Sequence, residues 1–179
     1  MLLTPTPDRW LQRVLRAPDL LLLDVAHCEK KAAGTVLGLI FKDPPRAAAY
    51  SRLAREELGH FEQALAVLGA RGGAFEPLIP AKYASSLAKL GQASLCATLC
   101  TAAIIEARSA ERLALLIEHV REPDLGRLYR ALHPPEERHV AQLLGFAEEI
   151  GDTAGILPAL LAAEAALVNA GEDLVRMHA

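Results

Sequence analysis

The sequence predicts an all-α protein, and both its composition and its residue pattern support this. Hydrophobic residues make up 52% of the 179 residues, largely Ala and Leu, whereas aromatic residues make up only 4%. Such a composition favours helices over sheets. No window alternates apolar and polar residues as a half-buried strand does, and no hairpin turn signal is present. A chain of this length is most simply one domain, residues 1–179.

Prolines, glycines and capping residues mark where the helices are expected to begin and end. The predicted long helices are Pro18–Phe41, Pro45–Leu68, Tyr83–Val120 and Pro135–Gly151. The predicted flanking segments are Pro7–Arg16, a short helix between Pro123 and Pro134, and Ala159–Val175. The stretch "GARGGAFEPLIP" (69–80) is predicted to be a loop. The expected architecture is therefore a bundle of four long helices with short flanking helices.

Targeting signals and cysteine usage predict a cytoplasmic protein without a membrane segment. Residues 1–7 lack the charged start and apolar run of a secretory signal. The longest purely aliphatic run, Leu20–Leu23, is far too short to span a bilayer. The three cysteines form no disulfide framework, which suits a reducing compartment.

One inward-facing carboxylate is predicted on each long helix. In "LAREELGHFEQAL" (53–65), Glu57 and His60 share a helix face with Leu53, Phe61 and Ala64, because residues three and four apart are neighbours on a helix. The same test places three further glutamates among apolar neighbours: Glu29, Glu106 and Glu136. A carboxylate is rarely buried without a partner. Their sequence neighbours have mixed or charged surroundings and are expected to face solvent: Glu56, Glu111 and Glu137.

The order of these residues points to a metal site. Glu29 precedes Glu57-x-x-His60 by 28 residues, and Glu106 precedes Glu136-x-x-His139 by 30. Four buried carboxylates would repel one another, and divalent cations remove that difficulty. One Glu from each of two helices and a Glu-x-x-His from each of the other two form the ligand set of ferritin-like di-iron or di-manganese bundles.

Simpler interpretations exist for single residues. Glu136 follows Pro134-Pro135, so it is also compatible with a carboxylate that stabilises the first turn of a helix. Glu57 and His60 are compatible with an isolated buried ion pair. The remaining histidines are expected to be structural or exposed: His27, His119, His133 and His178. Arg108 and Arg112 are expected to form ion pairs at the surface or around the site.

Four segments resemble the signature segments of the MiaE-type tRNA hydroxylases. They are "HCEKKAAGTVLGLIF" (27–41), "LAREELGHFEQAL" (53–65), "IIEARSAERLALL" (104–116) and "LYRALHPPEERHVAQLLGFA" (128–147). They occur in the order of that family and span most of the chain. In the fourth segment, Pro134-Pro135 stands where helix-compatible small residues are expected.

The resemblance implies a ferritin-like monooxygenase with a non-haem di-iron centre. Such an enzyme uses dioxygen to hydroxylate the isopentenyl or methylthio-isopentenyl group of the modified adenosine next to the anticodon in tRNA. It implies six iron ligands, the same six that the helix pattern selects: Glu29, Glu57, His60, Glu106, Glu136 and His139. Two external electrons are needed in each turnover, so a reductase or ferredoxin partner is expected.

The charge of the chain is compatible with an RNA partner. Its formal net charge is −3, but if four carboxylates bind metal, 18 of the 22 acidic residues remain against 19 basic ones. Candidate phosphate contacts are Arg71 and Lys82 beside the glycine-rich loop, and equally they are compatible with ordinary solubilising charges. Lys42 and Arg46 lie at another turn, and the aromatic residues considered for base stacking are Tyr83 and Phe75.

Two other classes of function fit the same helices. One is another ferritin-like di-metal protein, either a peroxidase of the rubrerythrin type or a protein that oxidises and stores iron. A peroxidase of the rubrerythrin type is expected to have a Cys-x-x-Cys rubredoxin-like site, which this sequence lacks. A protein that oxidises and stores iron would form a cage. The other class is a non-catalytic helical interaction protein, in which the Glu and His residues form a metal-free polar network.

Overall fold

The computed structural model describes all residues 1–179 and contains helices but no strands. Seven α-helices and one 3₁₀ turn follow one another along the chain. They are α1 (Asp8–Val14), α2 (Pro18–Lys42), the 3₁₀ turn Pro44–Arg46, α3 (Ala47–Ala70), α4 (Tyr83–Gly91), α5 (Leu95–His119), α6 (Pro123–Ile150) and α7 (Thr153–Ala170). The all-α prediction and the four-helix bundle are confirmed.

The four long helices form two antiparallel pairs, with α2 against α3 and α5 against α6. Helix α3 joins the two pairs by packing on α6, while α4 and α7 cover α5. Two separate apolar cores result. The α7-side core includes Leu39, Leu53, Leu99, Leu143 and Leu160. The α1-side core includes Trp10, Leu22, Leu68, Leu113 and Leu132.

The predicted helix Tyr83–Val120 is wrong, because the chain breaks after Gly91. Ser94 caps the second part, α5, by accepting a hydrogen bond of 3.0 Å from the Ala97 amide on its hydroxyl oxygen. A side chain at Gly91 would put its Cβ only 2.5 Å from the Thr101 hydroxyl oxygen. The close approach of the two chain segments at this turn therefore requires glycine.

The predicted break at Pro134-Pro135 is also wrong, since α6 runs through both prolines. Each proline removes one backbone hydrogen bond, to the carbonyls of Arg130 and Ala131. Both of these residues are exposed, so the freed carbonyls lie on the solvent side of the helix. Buried side chains on either side hold the helix against α5. Glu136 consequently lies in the middle of a helix and not in its first turn.

The last helix differs from its prediction at both ends, beginning at Thr153 and ending at Ala170. Asp152 caps its start by accepting a hydrogen bond of 3.0 Å from the Gly155 amide. The following tail is irregular, and its last four residues are buried. It is held by the Trp10 indole N–H, which donates to the Arg176 carbonyl at 2.9 Å, and by the Met177 amide, which donates to Asp24 at 2.6 Å.

Helix α7 is the one helix whose length and apolar composition would suffice to cross a membrane. This helix contains no long run of aliphatic residues, because Ala and Gly separate its leucines. Helices packed inside a protein meet the same criterion. In the structure α7 packs on α4 and α5, and the fully buried Glu164 in its middle forms an ion pair of 2.8 Å with Arg108.

Candidate metal centre

Six buried side chains from the four long helices meet between the two apolar cores. They are Glu29 on α2, Glu57 and His60 on α3, Glu106 on α5, and Glu136 and His139 on α6. None is more than 8% exposed. Each lies one or two helical turns from core residues of its own helix, so the amphipathic pattern that builds the bundle also turns these polar groups inward.

Four of the six side chains converge on one point. One ligand-capable atom from each of Glu29, Glu57, His60 and Glu136 lies within 4.8 Å of all the others. Nδ1 of His60 is 3.4 Å from Oε2 of Glu29 and 3.4 Å from Oε2 of Glu57. A single cation at this point can therefore be reached from three helices.

The other two side chains extend this group. Nδ1 of His139 lies 2.9 Å from Oε1 of Glu57, so Glu57 stands between the two imidazoles. The two rings are 5.9 Å apart between their centroids. Glu106 on α5 lies near Glu136 on the adjacent α6, and both carboxylates line the same cavity. The polar cluster is therefore continuous from α2 to α5.

The proton affinities of the cluster reflect burial and close charges. Burial raises the pKa of Glu29 to about 8 and that of Glu106 to about 7. Burial and the neighbouring Glu106 raise the pKa of Glu136 well above its ordinary value. Without a cation, protons must therefore neutralise most of these carboxyl groups near neutral pH.

Glu57 is the exception among the four carboxyl groups. Burial acts to raise its pKa, but the close imidazoles of His139 and His60 outweigh burial and lower the pKa to about 2. For His60 burial acts to lower the pKa, and the carboxylates of Glu29 and Glu57 raise it to about 9. The pKa of His139 is raised as well, chiefly by Glu57 against the effect of burial. The centre thus combines one carboxyl group of lowered pKa with two imidazoles of raised pKa.

The donor atoms of the cluster fit a metal ion. Oε1 of Glu57 and Nδ1 of His139 are fully buried and lack a hydrogen-bond partner, since the angles across their 2.9 Å separation do not suit a hydrogen bond. Buried polar atoms without partners are rare and destabilising. Carboxylate oxygen and imidazole nitrogen together are ligands for divalent iron and its neighbours. A cation would satisfy both atoms at once.

Glu56, expected to face solvent, contacts the far side of His139. Its Oε2 lies 3.0 Å from Nε2 of His139 and 3.3 Å from the Arg138 guanidinium. The hydrogen bond with His139 lowers the pKa of Glu56. A carboxylate only accepts hydrogen bonds, so Nε2 carries the proton and Nδ1 is directed at the cluster. No signal in the sequence indicates this contact, because it depends on how α3 crosses α6.

A cavity of about 120 Å³ connects the cluster with the surface. Its inner end is formed by Glu29, Glu106 and Glu136, and its outer end includes Lys31. Its walls are mostly small or apolar and come from α2, α4 and α5: Ala32, Val36, Ala84, Ala102 and Ile105. An apolar group can therefore reach the carboxylates from outside.

Comparison with known proteins identifies the family. The family model described as tRNA-(MS²IO⁶A)-hydroxylase (MiaE) matches residues 1–179. The chain belongs to the MiaE family.

Two curated relatives support the MiaE assignment. A tRNA 2-(methylsulfanyl)-N(6)-isopentenyladenosine(37) hydroxylase from Pseudomonas putida is 41% identical over 97% of this chain and 89% of its own length. A protein of the same name from Salmonella typhimurium is 29% identical over 82% of this chain and 74% of its own length. Among solved structures, a protein with aldehyde deformylating oxygenase activity from Synechococcus has a TM-score of 0.92 and 38% identity. It covers 99% of this chain and 95% of its own.

The two residues predicted to contact substrate differ in their surroundings in this MiaE-family fold. Arg71 binds Asp19 at 2.5 Å and Asp124 at 2.8 Å, so two carboxylates neutralise its charge. Arg71 is therefore already paired, and its contact with phosphate stays a prediction. Lys82 is exposed and forms no ion pair, and it directly precedes α4.

Other candidates have structural roles. Tyr83 is buried and donates a hydrogen bond of 2.9 Å to Glu164, so it is not available for base stacking. Phe75 is 40% exposed and packs edge-on against Phe61. Arg46 binds Asp43 and Glu149 through its guanidinium at 3.0 and 2.6 Å.

The arginines expected in surface ion pairs are buried. Arg108 is fully buried between Glu164 and Glu111, and Arg112 donates to the backbone carbonyls of Met177 and Ala179. His178, in the same tail, stacks on the ring of Tyr83 and lines the cavity. Arg112 thus secures the tail segment that supplies one wall of the MiaE-family cavity.

Proposed function

We propose that this chain is an oxygen-dependent monooxygenase that hydroxylates the isopentenyl group of a hypermodified adenosine next to the anticodon in tRNA. The family match over residues 1–179 and the names of both curated relatives support this activity. The observation that carries it is the apolar cavity ending at three carboxylates of the polar cluster. The carboxylates suit a redox-active metal, and the apolar walls suit a hydrocarbon group.

The proposed centre contains two iron ions held by Glu29, Glu57, His60, Glu106, Glu136 and His139. The unpartnered Glu57 and His139 atoms, and the convergence of four donor groups within 4.8 Å, support this ligand set. The arrangement matches that of di-iron carboxylate bundles, in which two helices give one Glu each and two give Glu-x-x-His. When bound, the iron pair supplies the activation of dioxygen.

The size of the cavity suits an isopentenyl group. A cavity of about 150 Å³ in another protein holds benzene, which has six carbon atoms. The cavity of about 120 Å³ here is thus on the scale of a five-carbon chain. Val36 and Ile105 contact such a chain from opposite walls and exclude water from its end. Glu29, Glu106 and Glu136 lie at the inner end, where the reacting methyl group is placed.

The reaction needs more than the protein and its substrate. One oxygen atom of dioxygen enters the methyl group as a hydroxyl, and the other leaves as water with two protons and two electrons. A reductase or ferredoxin in the cytoplasm supplies the electrons.

Mass spectrometry of nucleosides tests this proposal. Transfer RNA carrying the isopentenylated adenosine, with or without its methylthio group, is incubated with iron-loaded protein, reductant and ¹⁸O-labelled dioxygen. We expect one labelled oxygen atom on that nucleoside. The Glu57→Ala variant should give none and lose metal, while Glu62→Ala, an exposed change on the same helix, should behave as wild type. Unmodified nucleoside from wild-type protein with full iron content would refute the activity.

The Synechococcus structure suggests a second candidate, removal of the formyl carbon from an aldehyde. Its fold and 38% identity show that the same scaffold supports an oxygenase of that kind. The small cavity here favours the shorter prenyl group. Incubation with aliphatic aldehydes of graded length distinguishes the two, because deformylation releases formate and a hydrocarbon shorter by one carbon. Formate release without labelled nucleoside would favour the second candidate.

A further inference from the structure

The lysines of this chain are confined to two neighbouring elements. All five lie in the second half of α2 or in α4 and the residue before it: Lys30, Lys31, Lys42, Lys82 and Lys89. All five are exposed. The fourteen other basic residues are arginines, distributed over the rest of the molecule. The lysines are therefore concentrated on the side of the bundle formed by these two elements.

The segments that carry these lysines contain few acidic groups, and the Glu172 carboxylate approaches them by accepting a hydrogen bond from the Lys82 amide. Residues 30–42 and 77–105 contain no Asp or Glu. Every ion pair formed by a long basic side chain involves arginine and none involves lysine. A patch of unpaired positive charge attracts a polyanion over distances set by the ionic strength.

The same side exposes apolar groups along α2. Phe41 is 90% exposed and Leu37 is 46% exposed. Gly34 and Gly38 lie beside them, and no atom lies within 4 Å of a Cβ built at either position, so the helix backbone is open to close approach. The exposed residues from Lys31 to Lys42 extend over about 16 Å at 1.5 Å per residue. This length accommodates several nucleotides of a single-stranded loop.

The entrance of the cavity lies on this side. Lys31 and Thr35 from α2, and Ala81 and Ala84 from the start of α4, belong to its lining. A nucleotide whose side group enters the cavity therefore has its sugar and phosphates beside these two elements. Lys31, Lys42 and the cavity entrance lie at one edge of the exposed face of α2, and Lys30, Leu37 and Phe41 lie about 100° further round the same exposed face.

We infer that Lys30, Lys31, Leu37, Phe41, Lys42, Lys82 and Lys89, here named the lysine face, bind the anticodon loop of the RNA substrate. The lysines contact phosphates around the cavity entrance, and Phe41 stacks on an unpaired base. This inference rests on the proposed function for its partner, and it replaces Arg71 as the predicted phosphate contact. Lys82 remains in it.

Binding of a fluorescent anticodon stem-loop, measured by anisotropy from 50 to 300 mM salt, tests the lysine face. Neutralising one phosphate contact lowers the slope of log K against log salt by about 1. We expect the K30Q/K42Q pair to lower the slope by about 2, with unchanged helix content and metal content. The control R121Q/R127Q removes two exposed positive charges on or just before α6 and should leave the slope unchanged.

Phe41→Ala tests stacking separately from charge. Stacking of one base on an aromatic side chain is worth about 1–3 kcal/mol, so we expect at least fivefold weaker binding with an unchanged salt slope. Leu3→Ala, which removes another exposed apolar side chain, serves as the control. Equal RNA affinity of wild type, K30Q/K42Q and Phe41→Ala would overturn the lysine face.

Failure of the inference and failure of the proposed function give different results. If wild type hydroxylates tRNA while the lysine variants bind it normally, the activity stands and the face is wrong. If wild type binds RNA through these lysines but hydroxylates nothing, the face stands and the activity is wrong. If wild type binds vesicles containing anionic phospholipid through these residues and does not bind RNA, the face belongs to a lipid surface, and the inference is overturned.

Discussion

Removing the carboxylate of Glu56 should weaken metal binding although Glu56 touches no metal. Oε2 of Glu56 lies 3.0 Å from Nε2 of His139 and holds the proton on that nitrogen. Nδ1, the nitrogen that points at the cluster, then stays available as a ligand. In Glu56→Ala, water replaces the carboxylate, and the ring loses both its preferred tautomer and its orientation. His60 has no carboxylate at its own Nε2, so nothing compensates for the loss.

The expected magnitude follows from the position of Glu56. Loss of such a partner weakens metal affinity 10- to 100-fold, and Glu56 is 48% exposed in its side chain, so we expect the lower end of that range. A metal at 100 times its Kd stabilises the fold by about 2.7 kcal/mol, and at ten times its Kd by about 1.4 kcal/mol. The metal-induced rise in Tm should therefore shrink by about 3–5 °C.

Calorimetric titration with Co²⁺ and melting curves at fixed Co²⁺ measure both quantities without turnover. Glu56→Gln keeps a hydrogen-bond acceptor and should lose less affinity than Glu56→Ala. Glu137→Ala removes an equally charged but more exposed side chain next to Glu136 and is the matched control. Wild-type Co²⁺ affinity in Glu56→Ala, or an equal loss in Glu137→Ala, would refute the role given to Glu56.

Three further predictions concern other parts of the molecule. Arg71→Gln should leave anticodon stem-loop affinity unchanged in anisotropy measurements, because two carboxylates already neutralise Arg71; a clear loss of affinity would return it to the RNA-binding surface. Glu164→Ala leaves the fully buried Arg108 without its main partner and should lower stability in urea by about 3–5 kcal/mol, whereas Glu149→Ala in an exposed pair should cost less than about 1 kcal/mol. Burial lowers the pKa of His178 to about 3, so below about pH 6.5 its imidazole is protonated in the unfolded chain but neutral in the folded chain. His178 should therefore remove about 2 kcal/mol of stability between pH 7 and pH 5, and His178→Gln should lack that component in urea melts at the two pH values.

The elements that follow a simple period were predictable from the sequence, and those decided by neighbouring helices were not. Glu29 and Glu57 stand in unbroken amphipathic helices, so their burial could be foreseen. The continuity of α6 could not, because its local sequence contains Pro134-Pro135 and only packing on α5 outweighs two lost hydrogen bonds. The break after Gly91 depends on the close approach of Thr101, a contact between helices.

The candidate site shows the same division. Spacing identified all six inward-facing Glu and His residues, because each is positioned by its own helix. Glu56 was missed because its contact with His139 requires the crossing of α3 and α6. The ion pairs of Arg71 could not be foreseen because its partners lie 52 and 53 residues away in sequence, and ion pairing between distant segments leaves no local pattern.

The polar cluster lies between two apolar cores built from other residues. Burying Leu, Ile and aromatic side chains above and below the cluster holds the helices together, while the cluster itself adds mostly repulsion and desolvation. The residues that form the candidate metal centre and the residues that hold the helices together thus lie in different layers of one bundle. Ligands and cavity walls can change during evolution while the helices stay in place, which accounts for a Synechococcus oxygenase of another specificity sharing this fold. The same separation makes the bundle a suitable scaffold for engineering new metal centres.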